Sequence, residues 1–571
     1  MHKLIERLIA RIPLPFRVLL NQFLLRVVDL EALSIEADVP RFLGQFAGVL
    51  IMISCMRAIG ALFFPPPPDM EWNLELSALS NMLLVVGLIS VITWDATFPD
   101  RRDVMALGHL PVKSRTILLA KLTASGALVG LAITTLNFAS GFAWALVFGA
   151  GSLLQSLHFL AAFWFTIVAA STFLFAAVLA FQGFAALLLS RRKFLQVSAV
   201  AQLLAFALFM SVYFLEPSLG LRGQLVDPAN RALLTWSPVY WFLGLLNQLN
   251  GTLPRELTWL AVRAWIGLAV ALASAAAALL LCYLRTMKKT VEEPDLVPGA
   301  GGLHWTPGFG NSLRSAVLNF SVRSLIRSRQ HRVLFAFYWS IAMAIALSCV
   351  RTELSGEAPG AMTVDYLTST FMIMTIAVFG LRNVCALPIS LNANWVLRVT
   401  QLRPTIAYLA ATRGVFLLLG AAPALTLSVL LALRYRPWEQ VGAHLALLAL
   451  LGWTFVEIAM IGFEKVPFTC SYLPGKANVQ VVFWGAVFVL ALLSVTVALY
   501  EHRVLSNGWS VAGMLVALAA VSAVLWGTNR HRAKSALLYF EEPIPEIITT
   551  LGLSIGMRYE TSKPNSQSAE R

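Results

Sequence analysis

Residues 153–189 read LLQSLHFLAAFWFTIVAASTFLFAAVLAFQGFAALLL, a run without a single Asp, Glu, Lys or Arg. A helix needs about 20 predominantly apolar residues to cross the hydrocarbon core of a bilayer. The run therefore predicts a membrane-spanning helix. Because it is longer than the bilayer requires, the helix must tilt, kink or project into water.

The rest of the chain has the same apolar character. It contains 571 residues, of which 58% are apolar and only 13% are charged, and its mean hydropathy is +0.74. Soluble domains carry about 25% charged and about 45–50% apolar residues. The composition excludes a large independent catalytic domain and predicts an all-α, polytopic helical membrane protein.

Twelve apolar runs are long enough to span a membrane. They are Phe42–Phe64, Leu76–Trp94, Ile117–Phe148, Leu153–Leu189, Phe194–Leu215, Thr258–Leu284, Val333–Val350, Met362–Leu381, Ile406–Leu433, Val441–Phe463, Val479–Tyr500 and Ser510–Gly527. Six runs precede a polar linker and six follow it, which predicts two six-helix halves. The predicted parts are a cytoplasmic amphipathic segment (1–41), a first transmembrane half (42–284), a linker with an interfacial helix (285–332), a second transmembrane half (333–527) and a cytoplasmic tail (528–571).

The basic residues predict the orientation of these spans. With the N-terminus in the cytoplasm, the inside loops hold about 33 Lys and Arg and the outside loops about 7, as the positive-inside rule expects. An even number of spans places both termini in the cytoplasm, and we expect the chain in a bacterial cytoplasmic membrane. This asymmetry explains most of the net charge of +14, so no nucleic-acid partner is predicted.

Several features recur in both halves. Each half opens with an amphipathic basic segment, in residues 3–12 and 313–327, of the kind that lies in the headgroup plane. Each half also has an amphipathic stretch between its second and third spans, and residues 110–121 match 402–413 in spacing. The matched topology predicts two parallel repeats rather than inverted ones.

One cytoplasmic stretch resembles a known family. Residues 94–103 read WDATFPDRRD and residues 110–121 read LPVKSRTILLAK. This stretch resembles a loop in the permeases of ATP-binding-cassette transporters of the second exporter class. The resemblance implies that a separate cytoplasmic ATPase subunit contacts the loop and hydrolyses ATP. By position, it implies a coupling surface formed or bordered by Asp100, Arg101, Arg102, Asp103, Leu110, Pro111 and Lys121.

The second half carries a related stretch with differences. Residues 395–413, WVLRVTQLRPTIAYLAATR, add Arg398, Arg403 and Arg413 to the predicted coupling surface. However, Pro404 is displaced relative to Pro111, and residues 391–395, LNANW, replace the acidic turn. Whether the second half couples as the first does is therefore left open.

The sequence carries no motif for hydrolysing ATP or for other catalysis. The nearest approach to a phosphate-binding loop is LPGKA at residues 473–477, which lacks the leading glycine and the final hydroxyl residue. Gly-x-Ser-x-Gly and His-Glu-x-x-His are absent, and the eight histidines are scattered. We predict no catalytic residue, no cofactor and no metal site in this chain.

Charged residues within the predicted spans are few, and three of them are singled out as candidate functional residues. They are Arg57, Arg263 and Glu457. We expect the two arginines to snorkel towards the headgroups, and we expect a structural role for Glu457 ahead of substrate contact.

Two loops are also notable. The outer loop 216–257 carries Trp236, Tyr240 and Trp241, which we expect on the membrane surface as an aromatic belt. The cytoplasmic loop 464–476, with two prolines and a glycine, either contacts a partner or serves as a rigid connector.

Together with the predicted topology, the resemblance of the 94–121 stretch implies the membrane-spanning permease subunit of an ATP-binding-cassette transporter. The scarcity of intramembrane charge favours export of an amphipathic or lipid-like substrate over an ion. Two alternatives stay open: a secondary carrier that needs no ATPase, and a non-transporting membrane scaffold or lipid-modifying enzyme.

Overall fold

The computed structural model describes most of the chain between residues 13 and 535. The described ranges are 13–28, 39–64, 71–94, 107, 110–149, 152–215, 225–292, 312–355, 362–389, 405–433, 435–463, 465–469, 479–505 and 507–535. Within them, all regular secondary structure is helical. The amphipathic segment predicted in residues 3–12 lies outside these ranges.

The longer helices are numbered here in chain order. They are α1 (Leu14–Val28), α2 (Val39–Phe63), α3 (Glu71–Ile92), α4 (Ser114–Phe148), α5 (Leu153–Leu188), α6 (Arg191–Leu215), α7 (Arg231–Trp236), α8 (Pro238–Asn250), α9 (Thr258–Glu292), α10 (Ser312–Arg327), α11 (Arg329–Ser355), α12 (Val364–Cys385), α13 (Thr405–Phe416), α14 (Ala422–Ala432), α15 (Trp438–Ala459), α16 (Val479–Val504) and α17 (Gly508–Ser535).

Each predicted span coincides with a helix, and α13 and α14 together form one of them. Ten of these helical segments are, within the described residues, long and apolar enough to cross a membrane. The other two are α6, whose apolar stretch is the shorter Val200–Tyr213, and α16. The chain is therefore an all-α, polytopic integral membrane protein, as its composition predicts.

The helices form two sets, α1 to α9 and α10 to α17, and each set has its own buried core. One buried cluster, between Leu50 and Ala264, is formed by α2 to α5 and α7 to α9. Two others lie between Leu325 and Ala533, on α10 to α17. The sets meet where α6 lies against α11 and α2 against α16. The fifth span of each set thus contacts the first span of the other, an arrangement that parallel repeats would produce, although the duplication itself stays a prediction.

Helix α4 is longer than a bilayer is thick. Its 35 residues measure about 52 Å at about 1.5 Å per residue, against about 30 Å of hydrocarbon. The end nearest Ser114 is covered by α1, where Leu19 and Phe23 pack on Ile117 and Ala120. The projecting turns of α4 therefore have a protein partner.

The connection between α6 and α9 is part of the core. Tyr240 on α8 is fully buried, whereas Trp236 is 84% exposed. The expectation of a surface belt is thus wrong for Tyr240. Helix α8 packs closely on α9 because Gly244 has no side chain. A Cβ there would lie 2.6 Å from the Cβ of Leu260 on α9. Gly251, with φ of 75°, adopts the left-handed conformation that ends α8.

Helices α13 and α14 are joined by a wider turn. Residues Leu417–Ala421 are π-helical, and Pro423 follows in the first turn of α14. Proline has no N–H to donate to the preceding turn, and such wide turns accommodate the missing hydrogen bond. The joint separates the part of this span that carries Arg413 from the remainder.

Candidate functional site

The predicted coupling segment of the first half is described only in part. Four of its residues lie outside the described ranges: Asp100, Arg101, Arg102 and Asp103. Leu110 and Pro111 are described, and both are exposed, Leu110 by 44%. The chain then enters α4, where the Thr116 N–H donates to the carbonyl of Lys113 at 2.8 Å. An exposed leucine and proline ahead of a long helix are available for contact with a partner.

Lys121 lies under α1 and not at the surface. Its side chain is only 2% exposed, and its Nζ lies 5.3 Å from the ring centroid of Phe23. A cation over an aromatic face is attracted to it, by about 2 kcal/mol when both are desolvated. Lys121 therefore contributes to holding α1 on α4, while α1 presents its opposite face outward.

In the second half, Arg398 and Arg403 lie outside the described ranges, but Arg413 is described. Its Nε lies 2.6 Å from Oε1 of Glu457, and its Nη2 donates to Oε2 at 3.2 Å. The amide of Asn529 on α17 donates to the same carboxylate, at 3.0 Å, and to the Glu457 carbonyl at 2.8 Å. The Glu457 side chain is fully buried. This charge cluster joins α13, α15 and α17, which agrees with a structural role for Glu457.

The other two intramembrane candidates differ from each other. Arg263 on α9 stacks on Trp259 at 4.9 Å, and its Nη1 donates to the carbonyl of Thr235 at 2.9 Å. Arg57 on α2 lies 4.8 Å from the ring centroid of Trp144. Both of its terminal nitrogens are buried, without a hydrogen-bond partner among the described residues. The snorkelling expectation is therefore wrong for Arg57, because its guanidinium turns into the protein.

The structure also assembles a buried polar chain that the sequence did not predict. His444 on α15 has its Nδ1 2.7 Å from Oε1 of Glu501 on α16 and its Nε2 3.1 Å from Oγ1 of Thr370 on α12. All three side chains are buried. The Tyr366 ring lies edge-on to the imidazole at 5.2 Å. The only signal in the sequence was a histidine in the first turns of an apolar run.

A second buried carboxylate was missed in the first half. Glu75 on α3 accepts a hydrogen bond from the amide of Asn247 on α8 at 2.8 Å. The Thr252 hydroxyl donates to the Asn247 side-chain oxygen at 2.6 Å. Glu75 and Asn247 are both buried. Glu75 lies one residue before the predicted span Leu76–Trp94, so it is not among the intramembrane charges that the sequence predicts.

The loop after α15 contacts the end of α12. The Phe468 N–H donates to the Cys385 carbonyl at 2.9 Å, and the Ile389 N–H donates back to the Phe468 carbonyl at 3.0 Å. His331 packs edge-on against Phe468 at 5.0 Å. Residues 465–469 are buried. The described part of the loop thus packs against the end of α12, and the choice between a partner contact and a rigid connector stays open.

Two concave surfaces lie beside these elements. A groove of about 760 Å³, called here the basic groove, is lined by Ala316, Asn319, Phe320, Arg323, Ser324, Arg327, Ser328 and Ile389. A cavity of about 230 Å³, called here the α13–α17 pocket, is lined by Ile406, Leu409, Ala410, Arg413, Met460, Gly462, Phe463, Trp526, Asn529, Arg530, Arg532 and Ala533. Both combine arginine side chains with apolar walls.

Among the described residues, no group of three or more His, Cys, Asp or Glu side chains is arranged to hold a metal ion. No protein-family model, curated protein or solved structure matches this chain.

Proposed function

We propose that this chain is the membrane-spanning permease subunit of an ATP-binding-cassette exporter, driven by a separate ATPase subunit. In this proposal the chain lies in a bacterial cytoplasmic membrane with both termini inside. The ATPase binds the face that carries α1, α10 and the starts of α4 and α13. The cargo is an amphipathic or lipid-like molecule.

The observation that carries the proposal is the same packing at two places. Helix α1 packs on the first turns of α4, and helix α10 packs on α13. In the second case Val317 and Leu318 contact Ala411 and Val415. Each set of helices thus has a short helix resting on the start of its third span. Two such supports suit a partner built from two equivalent ATPase subunits.

This packing also offers a route for movement. A partner that displaces α1 would act on α4, because the Phe23 and Lys121 contacts join the two helices. A displacement of α13 would reach α15 and α17 through the bonds of Arg413, Glu457 and Asn529. Rigid helices that are connected by salt bridges and packed side chains can transmit such a displacement into the membrane.

The test is purification of the chain from native membranes in a mild detergent. We expect an ATPase to co-purify with the unmodified chain and to be lost when Arg101→Glu and Arg102→Glu are combined. The matched control combines Arg191→Glu and Arg192→Glu, which reverses the same charge in another predicted inside loop. Absence of any co-purifying ATPase from the unmodified chain would refute the proposal.

A secondary carrier is the second candidate, and the buried pair of His444 and Glu501 favours it. A histidine and a carboxylate 2.7 Å apart can share and exchange a proton. A carrier of this kind would accumulate cargo in sealed vesicles with a proton gradient alone. An exporter of the proposed class would require ATP and its partner in the same assay.

A further inference from the structure

The α13–α17 pocket lies where three helical segments meet, at a boundary predicted from the ends of their apolar spans. Helix α13 begins there, α15 ends there at Met460 to Phe463, and α17 ends there. On the predicted orientation this boundary is the cytoplasmic one. The pocket volume of about 230 Å³ accommodates a phosphate group with its neighbouring carbons, but not a whole lipid.

The charged side chains that line the pocket, among the described residues, are basic: Arg413, Arg530 and Arg532. The Glu457 carboxylate is bonded to Arg413 and Asn529. The guanidinium of Arg530 lies 5.1 Å from the Trp526 ring centroid. This stacking orients a planar group that can bind two phosphate oxygens at once. The charge favours an anionic ligand.

The walls of the pocket are apolar, and so is the helix surface that leads away from it. Ile406, Leu409 and Phe463 form much of the lining. Only 11% of the spanning part of α17 is buried, and Val516 and Val524 on it are 69% and 65% exposed. A ligand with an anionic head and an apolar tail could therefore place its head beside the arginines and its tail on the apolar surface of α17.

We propose that the α13–α17 pocket binds the phosphate headgroup of an anionic phospholipid. Arg530 and Arg532 contact the phosphate oxygens, and an acyl chain lies along the exposed apolar side of α17. Basic pockets between helices at this depth are suited to anionic headgroups. The proposal does not depend on the proposed transport function, because binding can be measured without an ATPase.

The experiment measures lipid binding by the full chain in detergent, using native mass spectrometry and thermal unfolding with added phosphatidylglycerol or phosphatidylcholine. We expect phosphatidylglycerol to bind and to raise the unfolding temperature, and phosphatidylcholine to bind at least about tenfold more weakly. Combining Arg530→Gln and Arg532→Gln should weaken phosphatidylglycerol binding at least about tenfold, as loss of charged hydrogen bonds predicts.

Two further variants distinguish binding in the pocket from a general effect of positive charge on lipid binding and from the loss of the arginines themselves. The control combines Arg231→Gln and Arg255→Gln, which removes two exposed arginines, one of them stacked on Trp259 at 6.0 Å, and should leave binding unchanged. Ala410→Trp fills the pocket while keeping every arginine, and it should also abolish specific binding.

Three results would overturn the proposal. One is equal loss of binding in the pocket and control variants. Another is retention of phosphatidylglycerol binding in Ala410→Trp. The third is stabilisation by millimolar inorganic phosphate without any binding of phosphatidylglycerol, which would assign the pocket to a soluble phosphate.

Discussion

Replacing Arg413 with methionine removes the positive partner of a carboxylate that has no access to solvent. Glu457 is fully buried, and Arg413 contacts both of its oxygens, at 2.6 and 3.2 Å. Methionine fills a similar volume and keeps the helix propensity of α13. The substitution therefore tests the ion pair with little change in packing.

The structure suggests a magnitude for each member of a double-mutant cycle. Removing one partner of a buried ion pair costs about 3–5 kcal/mol. We expect Arg413→Met near the lower end, about 3 kcal/mol, because Asn529 still donates to the carboxylate. Glu457→Gln should cost about 1–2 kcal/mol, since the amide oxygen can still accept from Asn529 and Arg413 faces the α13–α17 pocket.

The double variant is the decisive member of the cycle. Combining Arg413→Met with Glu457→Gln leaves no buried charge, and we expect it to be more stable than Arg413→Met alone. The coupling energy should be about 3 kcal/mol, at the upper end of the range for residues in one hydrogen-bonded network, which makes the double variant about 1–2 kcal/mol more stable than Arg413→Met. Such a difference is well above the error of the measurement.

The assay is equilibrium unfolding in mixed micelles by titration with sodium dodecyl sulfate, followed by circular dichroism. Arg382→Met is the matched control, because Arg382 donates to the carbonyl of Ile461 at 3.0 Å in an exposed hydrogen bond. It should cost less than about 1 kcal/mol. Equal stability of Arg413→Met and the double variant, or a cost below about 1 kcal/mol for Arg413→Met, would refute the reasoning.

Three other predictions concern helix packing and the buried polar chain of His444, Glu501 and Thr370. Glu501→Gln should destabilise the protein by about 2 kcal/mol, because it weakens a buried hydrogen bond to His444; unchanged unfolding would contradict it. Gly244→Ala should cost about 1–3 kcal/mol from overpacking against α9, whereas Gly130→Ala, whose Cβ would meet nothing within 4 Å, should not destabilise; equal effects would argue against the close approach. Phe23→Ala should weaken the packing of α1 on α4 by about 3 kcal/mol. Hydrogen exchange in α1 should then rise, while exchange in α12 stays constant.

The helices of this protein could be predicted from the sequence alone. Hydrocarbon cannot satisfy backbone N–H and C=O groups, so an apolar run of sufficient length must form a helix. The twelve runs coincide with helices for this reason, and α10 coincides with the predicted segment 313–327. The resemblance implied that Leu110 and Pro111 form or border the coupling surface; both are exposed, and their contact with a partner stays a prediction.

The candidate site could be predicted only in part. The family resemblance implied that Lys121 forms or borders the coupling surface, but it could not tell that the side chain lies buried against Phe23 of α1. Arg57 was expected to reach the headgroups, yet it lies over Trp144. In both cases the neighbour that decides the position of the side chain comes from another segment of the chain.

Tertiary structure alone decided which polar groups meet. Arg413 is 44 residues from Glu457, His444 is 57 from Glu501, and Asn247 is 172 from Glu75. The sequence determined that these helices cross a membrane, because the solvent demands apolar side chains along their length. Helices that are apolar on nearly every side do not mark which face turns inward. That choice is made only when neighbouring helices pack, and with it the partners of each buried charge.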